Sequence, residues 1–188
     1  MLYYLKEYDK YAEITGYKRI IFDRAEEFLK ANRKQNKENV DIQFFDATLI
    51  ASQQHLYFAA LNAMQAFQNK TNISKTLAME TMLYASAQRQ IQKAIQRLGI
   101  KPQTTALAVI IVGEDTAQIK MMLEEVSVFV GAEPDEGVLE VSKFKEQKII
   151  ETFQITNQEL NTVMKNENRS EALVNLIIER VALLSTQL

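Results

Sequence analysis

The spacing of apolar and polar residues predicts strands and helices in short groups along the chain. Tyr11 to Lys18 alternates weakly between the two classes, which predicts an edge strand. Asp23 is placed to cap a helix, and the polar tail KANRKQNKEN at 30–39 predicts a surface loop after it. Val40 to Phe45 has the character of a second strand. The residues of the first helix that we expect to face inward are Ala25, Phe28 and Leu29.

Three helices are predicted after the second strand. Ser52 is a plausible N-cap for a helix that reaches Phe67, and its apolar residues recur at helical spacing. The polar turn QNKTNIS follows at 68–74. A further helix is predicted from about Lys75 to Ala85, and a basic helix from about Ala87 to Leu98.

The segment after the basic helix predicts a turn and then the most buried strand of the chain. Gly99 is placed to take the left-handed C-cap conformation, and Pro102 prevents the helix from continuing. Thr105 to Val112 is one unbroken apolar run, which predicts a strand buried on both faces. Another helix is predicted from Asp115 to Phe129, before the break GAEP at 131–134.

The C-terminal third predicts one more strand and several helices. Val138 to Val141 is expected to be an edge strand and Lys143 to Phe153 a short helix. Thr156 with Glu159 matches a capping box, and Ser170 is placed to cap the final helix. Helices clustered between strands favour an α+β fold, a mixed α/β sandwich in which helices pack on a small mixed or antiparallel sheet.

Charge is distributed unevenly along the chain. The segment 70–101 holds six basic residues and the single acid Glu80, whereas 114–140 holds eight acids and only Lys120. On the predicted basic helix the cations recur every four residues, opposite Ile91, Ala94, Ile95 and Leu98. This basic face has two interpretations, a solvated helix surface or a contact with phosphate groups. The candidate RNA-binding residues are Lys70, Lys75, Arg89, Lys93, Arg97 and Lys101.

The C-terminal helix carries more apolar residues than one core contact uses. Its polar positions, among them Glu171, Asn175 and Glu179, share one narrow face. The helix is either fully buried or shares its apolar surface between the core and a partner. The candidate partner-binding residues are Leu173, Ile177, Val181, Leu184 and Leu188.

Few residues in the chain suit catalysis. With one histidine and no cysteine, neither a nucleophilic triad nor a thiolate metal site is expected, and we interpret His55 as structural. Asp46 and Glu80 lie in no recognisable acid/base motif. No glycine-rich phosphate loop occurs among the five glycines, and the carboxylates of Glu114 and Asp115 would repel a phosphate. We therefore expect no catalytic residue, cofactor, metal or small-molecule substrate.

Composition and hydropathy limit the number of domains and the location of the protein. The 188 residues with 47% apolar content are enough for one domain, which we expect to span 1–188. The segment MLYYLKEYDK has no apolar core of a signal peptide, and no apolar run approaches the ~18 residues of a membrane span. We expect a cytoplasmic protein.

Three segments together resemble a known family. They are TMLYASAQRQIQKAIQRLGIKPQTTALAVIIVGED at 81–115, DATLIASQQHLYFAALNAMQAF at 46–67 and IIERVALLSTQL at the C-terminus. Together they resemble the small kinase-binding subunit of the KEOPS (EKC) complex, in an archaeal form, over roughly Val40 to Leu188. The most specific part is Gln90-Ile91, Ala94 and Gly99-Ile100 leading into the apolar strand.

The resemblance implies a function that the residues alone do not give. It implies a non-catalytic subunit that binds the atypical kinase/ATPase of the complex and supports threonylcarbamoyladenosine formation on tRNA. It also implies contact with the 3′ CCA end of tRNA, for which Tyr84 or Phe67 is a candidate stacking surface. The alternatives are a free-standing RNA-binding domain without a kinase partner and, less well supported, a small hydrolase that uses carboxylates.

Overall fold

The computed structural model describes residues 1–35 and 40–186. Its centre is an antiparallel sheet with the strand order β1-β2-β4-β3. The strands are β1 (Leu2–Leu5), β2 (Lys10–Lys18), β3 (Val40–Asp46) and β4 (Ala106–Gly113). Thr15 of β2 lies opposite Val109 of β4, which in turn lies opposite Phe44 of β3. The predicted strand at 105–112 is therefore confirmed as a central strand.

Helices cover both faces of this sheet. One face packs against α1 (Phe22–Gln35) and α5 (Thr116–Val130). The other packs against α2 (Gln53–Gln68), α3 (Leu77–Ala85), α4 (Ile91–Leu98), α6 (Lys143–Phe153), α7 (Asn157–Val163) and α8 (Arg169–Leu183). These eight helices of the described residues and the four-stranded sheet confirm the predicted α+β fold.

The two cores follow from the alternation of side chains along β4. Ala108, Ile110 and Val112 belong to the core on the α2 side, whereas Leu107, Val109 and Ile111 belong to the core on the α1 side. Successive side chains of a strand point to opposite faces, so a strand between two helical layers must be apolar at every position. This is why the run at 106–112 shows no polar alternation.

Several predicted helix ends are confirmed. The Ser52 hydroxyl accepts a hydrogen bond from the His55 N–H at 3.1 Å and starts α2. Thr156 and Glu159 form both bonds of a capping box at the start of α7. The helix predicted from Asp115 to Phe129 is α5, whose N-cap is Asp115 and whose C-cap is Gly131 with a φ of 72°. These ends are set by local chemistry, and a positive φ costs glycine little.

The first predicted strand is present in the structure, but it does not lie at the edge of the sheet. β2 is not an edge strand, because β1 pairs with it from Leu2↔Glu13 to Leu5↔Lys10. β1 is only four residues long and its pattern is irregular, so its periodicity did not indicate a strand. Helix α1 begins at Phe22, so Asp23 lies inside its first turn and the prediction that Asp23 caps the helix was wrong.

The predicted loop at 30–39 was partly wrong. Helix α1 continues to Gln35, and Ala25, Phe28 and Leu29 are buried as predicted. Positions 36–39 lie outside the described residues. Lys, Ala, Arg and Gln have high helix propensity, which explains the longer helix.

The predicted strand at 138–141 was wrong. Residues Glu136–Leu139 form a 3-10 helix, in which the Val138 N–H bonds to the Asp135 carbonyl at 3.2 Å. This turn packs on β2 at Gly16, where an added Cβ would meet the Val138 Cβ at 2.8 Å. The absence of a side chain on Gly16 allows this close approach, a contact between distant segments that local periodicity does not report.

Two predicted caps were wrong in detail. Gly99 follows α4 with φ −66° and ψ 156°, so it is extended rather than left-handed. A glycine is needed at this position for close packing, because a Cβ on residue 99 would meet the Ile95 carbonyl oxygen at 2.5 Å. At α8 the N-cap is Asn168, whose side chain accepts from the Glu171 N–H, and not Ser170.

Candidate nucleic-acid and partner-binding surfaces

The six candidate RNA-binding residues do not form one helical stripe. Helix α4 begins at Ile91, so Arg89 precedes it, whereas Lys93 and Arg97 lie on it. Lys75 lies before α3 and Arg89 after it. Helix α3, which has nine residues and is about 13 Å long, lies between them in the chain. The cations are thus spread over two helices and their connections.

Arg97 has a structural role in its own chain. Its guanidinium Nη1 donates to the Ser86 carbonyl at 2.9 Å and lies 5.5 Å from the centre of the Phe153 ring. Burial, followed by the charge of Arg180, lowers the pKa of the guanidinium. A cation held between the end of α3 and the end of α6 is less available to a phosphate than the periodicity indicated.

The remaining cations differ in exposure. Lys70, Lys75, Arg89 and Lys93 are exposed. Lys101 is half-buried in the turn before β4, where its N–H donates to the Thr104 hydroxyl at 2.9 Å. Exposed lysine and arginine side chains are the ones that a phosphate backbone can reach from solvent.

Two faces of α4 are exposed, one apolar and the other basic. Ile91 and Ile95 were predicted to face the core, but 39% and 43% of these residues is exposed. Ala94 and Leu98 are buried. The helix therefore has a narrow buried stripe, and Lys93 lies between two exposed isoleucines along the sequence.

Of the two predicted stacking aromatics, Tyr84 is not open to a base. Tyr84 is buried, and burial raises the pKa of its hydroxyl while nearby Arg89 lowers it in part. Phe67 is half-buried. A base stacks on an exposed ring face, so Tyr84 was wrong as a stacking surface in this conformation.

The structure places the predicted partner-binding residues of α8 in the core. Leu173, Ile177, Val181 and Leu184 are buried, and Leu188 lies outside the described residues. Their burial contradicts the expectation that they form exposed surface. Of the other apolar residues here, 46% of Leu183 is exposed, and Val174 and Ile178 are half-buried.

His55 is structural, as predicted. Its Nδ1 accepts from the Ala51 N–H at 3.3 Å, so its Nε2 carries the proton and donates to the Ala85 carbonyl at 2.8 Å. The ring is fully buried and meets Phe153 edge to face. Burial lowers the pKa of His55 to about 4, opposed by the Ala85 bond. The neutral ring ties α2 to the end of α3.

The two candidate carboxylates serve separate turns. Asp46 Oδ1 accepts from the N–H and the hydroxyl of Thr48, and Oδ2 accepts from the Thr104 hydroxyl at 3.1 Å. Glu80 accepts from the N–H groups of Ile73 and Ser74, the latter at 2.7 Å. Each carboxylate therefore fixes the chain around it, which is the structural interpretation.

Lys145 is a buried cation that the periodicity did not indicate. Its Nζ donates to the Val138 carbonyl at 2.8 Å, which joins α6 to the 3-10 turn on Gly16. Burial lowers the pKa of Lys145 to about 8, and the charges of Asp46 and Glu140 oppose that shift. The amine stabilises the turn, and Lys145 also lines a cavity of about 260 Å³ beside it.

Within residues 1–35 and 40–186, no group of three or more His, Cys, Asp or Glu side chains is arranged to hold a metal ion. None of the helices described is long and apolar enough to cross a membrane.

At the start of α5, the Asp115 side chain accepts from the Ala117 N–H at 2.8 Å. A carboxylate already occupies the position that a phosphate loop would offer to an anion.

Charged and apolar side chains exposed together on helices are typical of a protein that binds other macromolecules through its surface.

Sequence comparison identifies the family. The family described as Kinase binding protein CGI-121 matches residues 23–185. The chain is also similar to the Regulatory protein Cgi121 of Methanocaldococcus jannaschii. The two are 33% identical over 113 residues, which are 60% of this chain and 70% of the relative. The chain belongs to the CGI-121 family of kinase-binding proteins.

Proposed function

We propose that this chain is a non-catalytic, archaeal-type subunit of the KEOPS complex. In this function it binds the atypical kinase/ATPase subunit and tRNA, including the 3′ CCA end, and supports threonylcarbamoyladenosine formation. The observation that carries the proposal is the family match over 23–185, which includes every helix from α2 to α8. The segments quoted above as a resemblance support the finer assignment to KEOPS.

The kinase contact is proposed at the outer side of α8. Leu173, Ile177 and Val181 anchor this helix in the core, and Leu184 does the same beyond its end. The exposed Leu183 and the half-buried Val174 and Ile178 are the apolar atoms that a partner would reach. A helix held rigidly by its buried side presents a preformed surface, which lowers the entropy cost of binding.

A mixed assay with the purified kinase tests this function. We expect the chain to co-elute with the kinase and to raise its ATP turnover, and to turn over no ATP alone. Leu183→Glu should weaken co-elution and leave the melting temperature near that of wild type. Phe144→Glu is the matched control, because Phe144 is an exposed apolar residue of α6. No co-elution of the wild-type chain would contradict the proposal, and tRNA binding without any kinase contact would favour a free-standing RNA-binding domain.

The tRNA contact is proposed at the exposed cations of the basic segment. Lys70, Lys75, Arg89 and Lys93 are the members that support it, because all four are exposed. Arg97 and Lys101 are expected to contribute less because Arg97 is bound within the chain and Lys101 is half-buried. Exposed cations spread along the surface suit the phosphate backbone of a single-stranded end.

The salt dependence of tRNA binding tests this surface. Each phosphate contact with a single strand contributes roughly 0.7 to the slope of log affinity against log salt. Arg89→Ala with Lys93→Ala should therefore weaken binding and flatten the slope by about one or more. The matched control is Lys120→Ala with Lys165→Ala, which removes two exposed lysines outside the basic segment.

Trimming the 3′ CCA end separates the end from the rest of the tRNA. Wild type should lose much more affinity than the Arg89/Lys93 double variant on trimming, since the variant has already lost that contact. Equal losses in both proteins would place the CCA contact elsewhere. An unchanged affinity and slope in the variant would leave these cations as a solvated surface.

A further inference from the structure

Helix α4 carries Lys93 of the proposed RNA surface, but few of its own side chains lie in the core. It has eight residues, of which Ala94 and Leu98 are buried. Its N-cap residue, Gln90, makes no side-chain cap hydrogen bond. Isolated helices shorter than about 12 residues are marginal in water, so tertiary contacts must hold α4 in place. The position of Lys93 depends on those contacts.

Arg97 makes such contacts with two other helices. It lies one turn after Lys93, and its Nη1 donates to the carbonyl of Ser86, the C-cap residue of α3, at 2.9 Å. A cation at this end of a helix is favourable because the last carbonyls carry partial negative charge. The guanidinium also lies 5.5 Å from the centre of the Phe153 ring at the end of α6. One side chain therefore holds α4 to both α3 and α6.

The groups that Arg97 contacts are themselves fixed by other elements. The carbonyl of the buried Phe153 accepts a hydrogen bond from Arg180 Nε of α8 at 3.3 Å, and its ring meets His55 edge to face. His55 Nε2 donates to the Ala85 carbonyl at 2.8 Å, which precedes the carbonyl that Arg97 binds. Two neighbouring carbonyls at the end of α3 therefore accept from side chains of α2 and α4.

The turn after α3 requires this support. Ala87 has a φ of 49°, in the left-handed region that side chains other than glycine adopt at a cost. Its N–H donates to the Tyr84 carbonyl at 2.9 Å, and the Gln88 N–H donates to the Leu83 carbonyl at 3.0 Å. Such a conformation persists where the surrounding contacts determine it. The bond from Arg97 adds to those contacts from the side of α4.

Burial and geometry distinguish Arg97 from Lys93. Arg97 is half-buried and its guanidinium is engaged with a carbonyl and a ring, whereas Lys93 is exposed. An incoming phosphate reaches Lys93 without disturbing the contacts that hold the helix. The two cations, four residues apart on one helix, therefore have separate tasks.

We propose that Arg97 is a positioning residue of the RNA surface, which holds α4 against α3 and α6 so that Lys93 is preorganised to bind a phosphate of the single-stranded end. This inference rests on the tRNA contact proposed above. A helix that is already in place lowers the entropy cost of binding, and Arg97 provides this without a phosphate contact of its own.

A double-mutant cycle on tRNA affinity and its salt dependence separates positioning from direct contact. Lys93→Ala should weaken binding and flatten the slope of log affinity against log salt by roughly 0.7, the loss of one phosphate contact. Arg97→Met should weaken binding by about fivefold or more. Because Arg97 acts through Lys93, the double variant should bind like Lys93→Ala alone. Losses that multiply, with a slope flattened by roughly 1.4 in the double variant, would show two independent phosphate contacts and overturn the proposal.

A neutral substitution tests the same contact without changing charge. Phe153→Leu removes the ring beside the guanidinium from a buried position that RNA does not reach, and it should weaken tRNA binding in the same direction as Arg97→Met. The matched control is Phe44→Leu, another buried phenylalanine, which lies in the core on the α1 side. It should bind tRNA like wild type. Equal losses in the two phenylalanine variants would overturn the proposal, because general loosening of the fold would then explain them.

Amide hydrogen exchange without tRNA measures the hold on α4 directly. In Arg97→Met the amides of α4 should exchange about tenfold faster or more, while those of β4 keep the protection of wild type. Unchanged exchange in α4 would overturn the positioning role. Wild-type chain that does not bind tRNA would overturn the proposed function and this inference with it. Wild-type chain that binds tRNA no better than Arg97→Met would overturn this inference alone.

Discussion

The buried ring of His55 should make the stability of the fold depend on pH. Its Nδ1 accepts the Ala51 N–H, and its Nε2 donates to the Ala85 carbonyl. Protonation would place a second N–H at Nδ1, facing the Ala51 donor, inside a site without solvent exposure. The folded state therefore opposes protonation far more strongly than the unfolded chain does.

The magnitude follows from the two pKa values. The pKa of His55 is about 4 in the folded state, compared with 6.5 for an ordinary histidine. The unfolded chain binds the proton first as pH falls, so stability is full above pH 6.5 and decreases down to about pH 4. The whole difference corresponds to about 3 kcal/mol, of which about 2 kcal/mol is lost between pH 7.5 and pH 5.

Urea unfolding followed by circular dichroism at about pH 7.5 and about pH 5 measures this loss. The control is His55→Gln, which keeps a donor and an acceptor but does not titrate in this range. We expect the variant to be less stable than wild type at the higher pH and nearly independent of pH between the two. Glu159, whose pKa is lowered to about 2 from 4.5, titrates mainly below this window. A wild-type protein with equal stability at both pH values, or a variant with the same loss, would refute the reasoning.

Three further predictions concern buried groups. Thr15→Val should raise the free energy of unfolding by about 1 kcal/mol in urea titration, because the buried Thr15 hydroxyl has no hydrogen-bond partner. No gain would show that the hydroxyl is solvated. Circular dichroism should show that Ile177→Glu does not fold, since the substitution buries an unpaired charge. Leu183→Glu, at an exposed position, should fold. A folded Ile177 variant would contradict the core position of α8. Stability should rise between about pH 8 and pH 9.5, because the lowered pKa of Lys145 leaves the unfolded chain with more protons there, and Lys145→Met should remove the rise.

The sequence was most informative where chemistry is local. The caps at Ser52, Asp115 and Thr156 depend on residues within one helical turn, and the buried strand at 106–112 depends on apolar residues in a row. The sequence was least informative where contacts with a distant segment determine the structure. Gly16 contacts the turn at 136–139, which lies far along the chain, and no periodicity in either segment predicts that contact.

The surface residues show the same division. Net charge correctly indicated that the segment 70–101 is basic, but the burial of Arg97 depends on Phe153 and Ser86, which lie in other elements. The apolar excess of α8 indicated burial or a partner, and only tertiary packing shows that Leu173 and Ile177 lie in the core. Lys145 gave no signal, because a lysine in a helix is normally exposed.

The central claim is that this chain regulates a kinase through direct binding, and the steady-state ATP turnover of the purified atypical kinase tests it most directly. The measurement compares the kinase alone, the chain alone, and the two mixed at increasing concentrations of the chain. The account predicts no turnover by the chain alone and a saturable rise in turnover by the kinase, and Leu183→Glu should need a higher concentration to produce the same rise. Turnover by the chain alone that survives further purification, or a kinase rate unchanged at saturating chain, would contradict it.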